Sequence, residues 1–418
     1  MSLIFLYLRK LKERNIMRYI KIYLLFFLSA FSFIACQDDP DEPKPRETVA
    51  RTVLVYLIGD NGTSELSSLL LANLNAMKIG MQQVNDANCN LIVYKETVND
   101  VPKLLSIRNE NGKVVEKTIF TYNEQNPLSI DVMKDVIATT KKYFPAESYG
   151  MVFLSHSSSW VPAINNANPV SRSIGYYRKT QMDVTDFRKA ISSSFSQPLK
   201  FIFFDSCLMQ SVEVAYELRD CADFIIGSPT EIPGPGAPYE QVVPELFTET
   251  NVAKNIASAY FDYYNKRYDP KTENTDANWT AGVSISVVQT EFMDELAQAS
   301  KNIIADNITS QWDIDRSGFQ RYDFSRDDAN YDFENLIRSL TGGPNDSEYY
   351  SWRKAFDKAV IYWAKTPLNY SAYAGMFSIE KGEGLSTYIP YPRNTTTFRD
   401  YYRQLGWYTA AGWSLTGW

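Results

Sequence analysis

Two hydrophobic patterns alternate along the first half of the chain. Short runs that are apolar at nearly every position occur at Arg51–Ile58, Asn90–Lys95, Gly150–Ser155, Lys200–Asp205 and Asp223–Ser228. Between them, apolar residues recur at helical spacing in Ser64–Lys78, Asp131–Tyr143, Asp183–Ser193 and Leu208–Arg219. In the first of these, Leu66, Leu69, Leu70, Leu74 and Met77 share one side, and the turn sequence Gly59-Asp60-Asn61-Gly62 precedes it. Strands apolar on both faces and interleaved with helices predict an α/β fold, with a mostly parallel sheet sandwiched between helices. In such sheets the reactive groups lie beyond the carboxyl ends of the strands.

From about Pro235 the pattern loosens. Thr280–Val288, Ala374–Ile379 and Leu385–Tyr391 read as strands, and Glu291–Ile304 and Ser351–Ala364 as helices. With no linker composition between the halves, the expected organisation is a core over 51–240 and a C-terminal subdomain, 241–418, packed on it.

The N-terminus reads as an address. Residues 17–36 carry Arg18 and Lys21, then the apolar run Tyr23–Ile34, then Ala35-Cys36. That is a secretory signal, too short to span a bilayer comfortably. Its end resembles a bacterial lipoprotein signal, which makes Cys36 the expected lipidation site; a plain signal peptide with an incidental cysteine is the alternative. Met17 fits the start of this signal better than Met1. Residues 37–50, acidic with three prolines, read as an extended tether. The expected location after export is the bacterial outer membrane or cell surface, held by lipid.

Composition narrows the chemistry. The net charge of −7 argues against nucleic acid as a partner, which needs basic patches. Aromatic residues make up 14% of the chain, enough for a large core and for a peptide- or glycan-binding surface alike. The chain has one histidine, His156, so a histidine-rich zinc site is excluded. Its four cysteines show no Cys-x-x-Cys spacing. If Cys36 is consumed by lipid, Cys89, Cys207 and Cys221 leave at least one free thiol. No phosphate loop, dinucleotide fingerprint or Gly-x-Ser-x-Gly motif is present, so no redox or nucleotide cofactor is expected.

His156 directly follows one predicted strand, and Cys207 closely follows another, so both belong to one rim of the sheet. Cys207 also falls at the predicted start of the Leu208–Arg219 helix, where unpaired N–H groups favour a thiolate. The histidine stands 51 residues upstream of the cysteine, the order and approximate spacing of caspase-type peptidases. Either residue alone fits a structural role; their shared placement favours a catalytic pair.

Longer segments extend this. Asp205-Ser206-Cys207-Leu208-Met209 with Glu213-Val214-Ala215-Tyr216-Glu217-Leu218 resembles the nucleophile segment of the clostripain family of cysteine peptidases. Leu154-Ser155-His156 with Trp160 resembles its histidine segment, and Val53–Asn61 its first strand and turn. Gly227-Ser228, Glu231–Gly234, Gly236–Glu240 and Gly384–Pro390 resemble later segments. The resemblance implies a caspase-like sandwich and cleavage after Arg or Lys, with Asp205 binding the basic side chain; capping of the following helix is the alternative role for Asp205. It implies that the backbone N–H groups of Ser157 and Cys207 hold the oxyanion. Ser157 replaces the glycine usual after the histidine, which leaves open a catalytically impaired surface lipoprotein that binds peptide or glycan. The resemblance further implies a zymogen that cuts itself in an exposed loop, here Val161–Gln181, after Arg172, Arg178 or Lys179. Calcium enters by this analogy alone; the acidic residues show no calcium-loop spacing.

Overall fold

Residues with β-branched and aromatic side chains form the strands where the sequence pattern places them. The computed structural model describes residues 44–62, 64–85, 88–162, 173–271, 279–310, 315–325, 330–391, 394 and 396–418. The signal segment, Cys36, most of the tether and Arg172 lie outside the described residues. The strands are β1 (Val49–Ile58), β2 (Cys89–Glu96), β3 (Lys103–Glu110), β4 (Lys113–Thr121), β5 (Ala146–Leu154), β6 (Ile174–Tyr177), β7 (Thr180–Met182), β8 (Phe201–Asp205), β9 (Phe224–Gly227), β10 (Ser284–Gln289), β11 (Asn330–Asp332), β12 (Val360–Lys365), β13 (Leu368–Ser371), β14 (Gly375–Ser378) and β15 (Ser386–Tyr388).

Among the described residues, nine of these form one sheet in the order β12-β10-β9-β8-β5-β1-β2-β3-β4. The five central strands are parallel, as the doubly apolar pattern predicts. Both edges are antiparallel: β3 and β4 on one side, β10 and β12 on the other. Thus β10 and β12, from the second half of the chain, complete the sheet begun by the first.

Each face of the sheet buries its own core. Leu54, Tyr56, Ile58, Tyr94, Phe153 and Phe204 face helices Ile130–Tyr143 and Val184–Ser194. Val53, Val55, Leu57, Val93, Val152 and Phe203 face helices Ser64–Met81, Tyr239–Glu245 and Val252–Asn265. Alternation along one strand feeds both cores. In Ile130–Tyr143, Met133, Val136, Ile137, Thr140 and Tyr143 are buried at helical spacing, and Ser129 caps the helix by accepting from Val132 N. Each fully buried apolar side chain of this kind contributes about 1.5–3 kcal/mol.

Three elements differ from expectation. The β3–β4 hairpin turns at Asn111 (φ 55°) and Gly112 (φ 85°), the left-handed pair that favours Asn-Gly in tight hairpins; the dipeptide was the available signal. The helix read over Ser351–Ala364 stops at Ala359, because Val360-Ile361-Tyr362-Trp363 pairs with β10 as strand β12. The helix read over Leu208–Arg219 is reduced to Val212–Glu217, which bears directly on the setting of Cys207.

Candidate active site

Strand register brings the two candidate catalytic residues together. Leu154 of β5 pairs with Asp205 of β8. His156 and Cys207 each lie two residues beyond that pair, on neighbouring parallel strands that run about 4.8 Å apart. Leu57 of β1 pairs with Leu154 in turn, so the Asp60-Asn61 turn rises beside the histidine. The result is a cavity of about 60 Å³ whose walls include His156, Ser157, Cys207, Glu231, Asp323 and Tyr373.

The loop that carries Cys207 is held from several sides. Ser206 ties β8 to β5, with its hydroxyl donating to Phe153 O and accepting from Ser155 N. Leu208 then takes a left-handed conformation, φ 64°, costing on the order of 1 kcal/mol for a residue with a side chain. The turn is fixed by Leu208 N donating to Thr230 O at 3.0 Å and Gln210 N to Ser228 O at 3.1 Å. A helix cannot pass through such a residue, so it begins only after Ser211, whose hydroxyl accepts from Val214 N. The expectation that Cys207 sits at that helix N-terminus is therefore corrected. A different donor faces the sulfur: Ile232 N lies 3.5 Å from Cys207 Sγ.

His156 is half-buried, and its Nε2 lies 3.4 Å from Asn61 Nδ2. The segment after it runs against β6. Ser157 bridges Ile174, and the bridge is carried by Ser158 N donating to Ser173 O at 2.9 Å, an arrangement that leaves the Ser157 N–H directed away from β6. Ser157 is not left-handed; Ser159 is, at φ 62°. The demanding backbone position in this turn is thus 159, where the serine hydroxyl donates to Ser211 Oγ at 2.8 Å.

Asp205 is buried behind the segment that follows β9. Its Oδ2 accepts from Ala237 N at 2.9 Å and Tyr239 OH at 2.8 Å, while Oδ1 has no hydrogen-bond partner among the described residues. Burial pushes the carboxyl up to about 6 against the pull of those two donors. Gly236 makes the close approach possible: at φ 72°, a Cβ there would stand 2.8 Å from Asp205 Oδ2. Cys89 and Cys221 are buried, and burial raises the Cys221 thiol to about 11, so Cys207 is the accessible thiol among the described residues.

Two of the expected processing residues are not in a mobile loop. Arg178 and Lys179 form the turn of the β6–β7 hairpin, whose Ile174, Tyr177 and Met182 are buried. Arg178 donates from Nε to Asp60 Oδ2 at 2.9 Å and pairs with Glu124. No helix among the described residues is long and apolar enough to cross a membrane. No three His, Cys, Asp or Glu side chains cluster as metal ligands among the described residues.

The profile of the clostripain family, peptidase group C11, matches residues 55–418. The chain belongs to the clostripain family. Solved structures agree. A secreted C11 cysteine protease from Bacteroides thetaiotaomicron, bound to an irreversible peptide inhibitor, is 39% identical with a TM-score of 0.78, over 87% of this chain and 99% of that one. An inactive zymogen C11 protease from Parabacteroides distasonis is 30% identical with a TM-score of 0.75, over 88% and 99%. A B. fragilis cysteine protease is 43% identical over 58% of this chain and 98% of its own, with a TM-score of 0.55. No curated protein sequence matches.

Clostripain-family motifs that are distant in sequence meet here. Glu213, from the nucleophile segment, is buried and accepts through Oε1 from Tyr388 N at 2.9 Å and Thr387 Oγ1 at 3.0 Å. Ser386 N donates to Gln210 O at 3.1 Å. Trp160, from the histidine segment, packs edge-on to Tyr388 with ring centres 5.2 Å apart. Gly384–Pro390 therefore braces both halves of the site. Asn61 and Glu231 fall within segments that resemble the family but were not singled out from sequence as site residues, and nothing in the local pattern of Asp323 or Tyr373 marks them.

Proposed function

We propose that the chain is an exported, lipid-anchored cysteine endopeptidase that cleaves after Arg or Lys. The observation that carries this reading is the equal offset of His156 and Cys207 beyond a paired register on adjacent strands, with both lining one cavity. The Cys207 thiolate attacks the scissile carbonyl carbon, and the oxyanion is held by the N–H groups of Ser157 and Cys207. The His156 imidazolium gives its proton to the departing amine as the C–N bond breaks. The neutral imidazole then takes a proton from water, which attacks the thioester and frees the acid. Ser157 offers its N–H without left-handed strain, so its standing in for glycine does not by itself favour an inactive homologue. A basic side chain before the scissile bond is proposed to meet Asp205, whose Oδ1 has no hydrogen-bond partner among the described residues and would gain a charge-assisted bond from a guanidinium. Hydrolysis of a small arginyl amide by the wild-type protein tests this reading; a binding protein would show none.

Two further expectations belong to this reading. Lipidation of Cys36 sends the expressed protein into the detergent phase and Cys36→Ser into the aqueous phase; equal partition of both would count against an anchor. Self-cleavage falls on Arg172 rather than Arg178 or Lys179, since a protease needs an extended segment and the latter two are held in a hairpin turn. N-terminal sequencing of the fragment from wild type should begin at Ser173, with Cys207→Ala uncut. A cut after Arg178, or an equal cut in both proteins, would contradict this.

A further inference from the structure

We infer that Asn61 is a positioning residue for His156, and that the Asp60–Arg178 pair is the brace that holds it there. The inference rests on the catalytic assignment of His156. Asn61 lies 3.4 Å from His156 Nε2. A side-chain amide can offer either of its atoms: it donates to an imidazole that lacks a proton on Nε2, and accepts through Oδ1 when that nitrogen carries one. With Nδ1 as the nitrogen that exchanges the proton, Nε2 keeps its hydrogen in both the neutral and the cationic ring, and the amide accepts from it through Oδ1 in both, which fixes the tautomer and the ring plane. A base oriented by a third group is the general arrangement in nucleophilic catalysis.

The turn that carries Asn61 is anchored beyond what a strand end needs. Gly59 N donates to Glu96 O at 2.8 Å, and Ser67 Oγ donates to Gly59 O at 2.9 Å. Asp60 then uses every acceptor it has. Its Oδ1 accepts from Gly62 N at 3.0 Å, its Oδ2 from Arg178 Nε at 2.9 Å, and its backbone oxygen from Arg178 N at 2.8 Å. Arg178 also pairs with Glu124 and lies over the Tyr177 ring at 5.0 Å. It does this in a left-handed conformation, φ 52°, which is held only when the surroundings over-determine it. Both backbone and side chain of one arginine thus clamp the residue next to Asn61. The clamp links the β6–β7 hairpin, immediately after the segment proposed to be cut, to the orientation of the general base.

His156 is the only histidine, so an untagged protein labelled with isotope in histidine shows one imidazole, and its titration by NMR reads this residue alone. Asn61→Asp places a carboxylate beside Nε2 and should raise the His156 pKa by about one unit or more, since an opposite charge favours the cation. Asn61→Ala should leave the ring mobile and lower kcat roughly 10- to 100-fold with KM little changed. Asn61→Asp should recover part of that loss, with the limb of the pH–rate profile due to histidine moved upward. Arg178→Gln should reproduce a smaller loss of kcat in the same direction. His156 titration curves that superimpose in wild type, Asn61→Ala and Asn61→Asp would overturn the inference, as would an unchanged kcat in Asn61→Ala. A wild type that hydrolyses nothing would instead overturn the peptidase reading, and the NMR titration would still decide the contact.

Discussion

Cys207→Ala and His156→Ala each lose peptidase activity, by at least about four orders of magnitude in kcat, because neither nucleophile nor base has a substitute within reach. His156 is the chain's sole histidine, and the other described thiols are buried. The two losses should not add, since the residues act as one unit; the double variant should be about as slow as either single one. Stability should move little. Both side chains are only partly buried and face a cavity, so truncation leaves no large apolar void, and a shift within about 1 kcal/mol is expected. Denaturant unfolding beside the assay separates the two effects. Turnover retained in a folded single variant would sink the pair as catalytic.

Asp205→Asn should abolish the preference for basic residues rather than the chemistry. The ratio of kcat/KM for an arginyl amide over a norleucyl amide should fall at least about 100-fold, in line with losing a buried charge partner. The norleucyl rate should stay within about tenfold of wild type, since the asparagine oxygen can still accept from Ala237 N and Tyr239 OH. A pH signature follows from the carboxyl pushed up to about 6 by burial. A cationic side chain favours the ionised form, so in wild type the ratio should climb as pH rises through about 6 and level off above it. Asp205→Asn should show a flat ratio. An unchanged ratio in the variant would place basic recognition elsewhere in the site.

Much of this was legible in the sequence, for physical reasons. Strands buried on both faces must be apolar throughout, which made β1, β2, β5, β8 and β9 plain and their parallel pairing predictable. Reactive residues just past two such strands had to share a rim, so His156 and Cys207 could be paired before any contact was known. The edges were harder. The exposed residues of β4 are polar apart from Phe120, which blurs the alternation, although Asn111-Gly112 carried the hairpin. Left-handed Leu208 left no trace, because its conformation is imposed by Thr230 and Ser228 rather than by its own preferences. Arg178 looked like a loop residue for the same reason: its role depends on Asp60, which lies 118 positions away. Asn61 was visible as a turn residue, yet its proximity to His156 exists only once β1 and β5 are neighbours.

On the proposed mechanism, Cys207 is a nucleophile activated by His156. The most direct measurement is the reaction of the full chain with a peptidyl acyloxymethyl ketone bearing arginine next to its electrophilic carbon. The thiolate displaces the carboxylate and forms a stable thioether. Intact-mass analysis followed by peptide mapping should give one adduct per chain, on Cys207, formed far more slowly in His156→Ala and absent in Cys207→Ala. No adduct on a folded wild type, or an adduct on Cys89 or Cys221 at a rate indifferent to His156, would contradict the account.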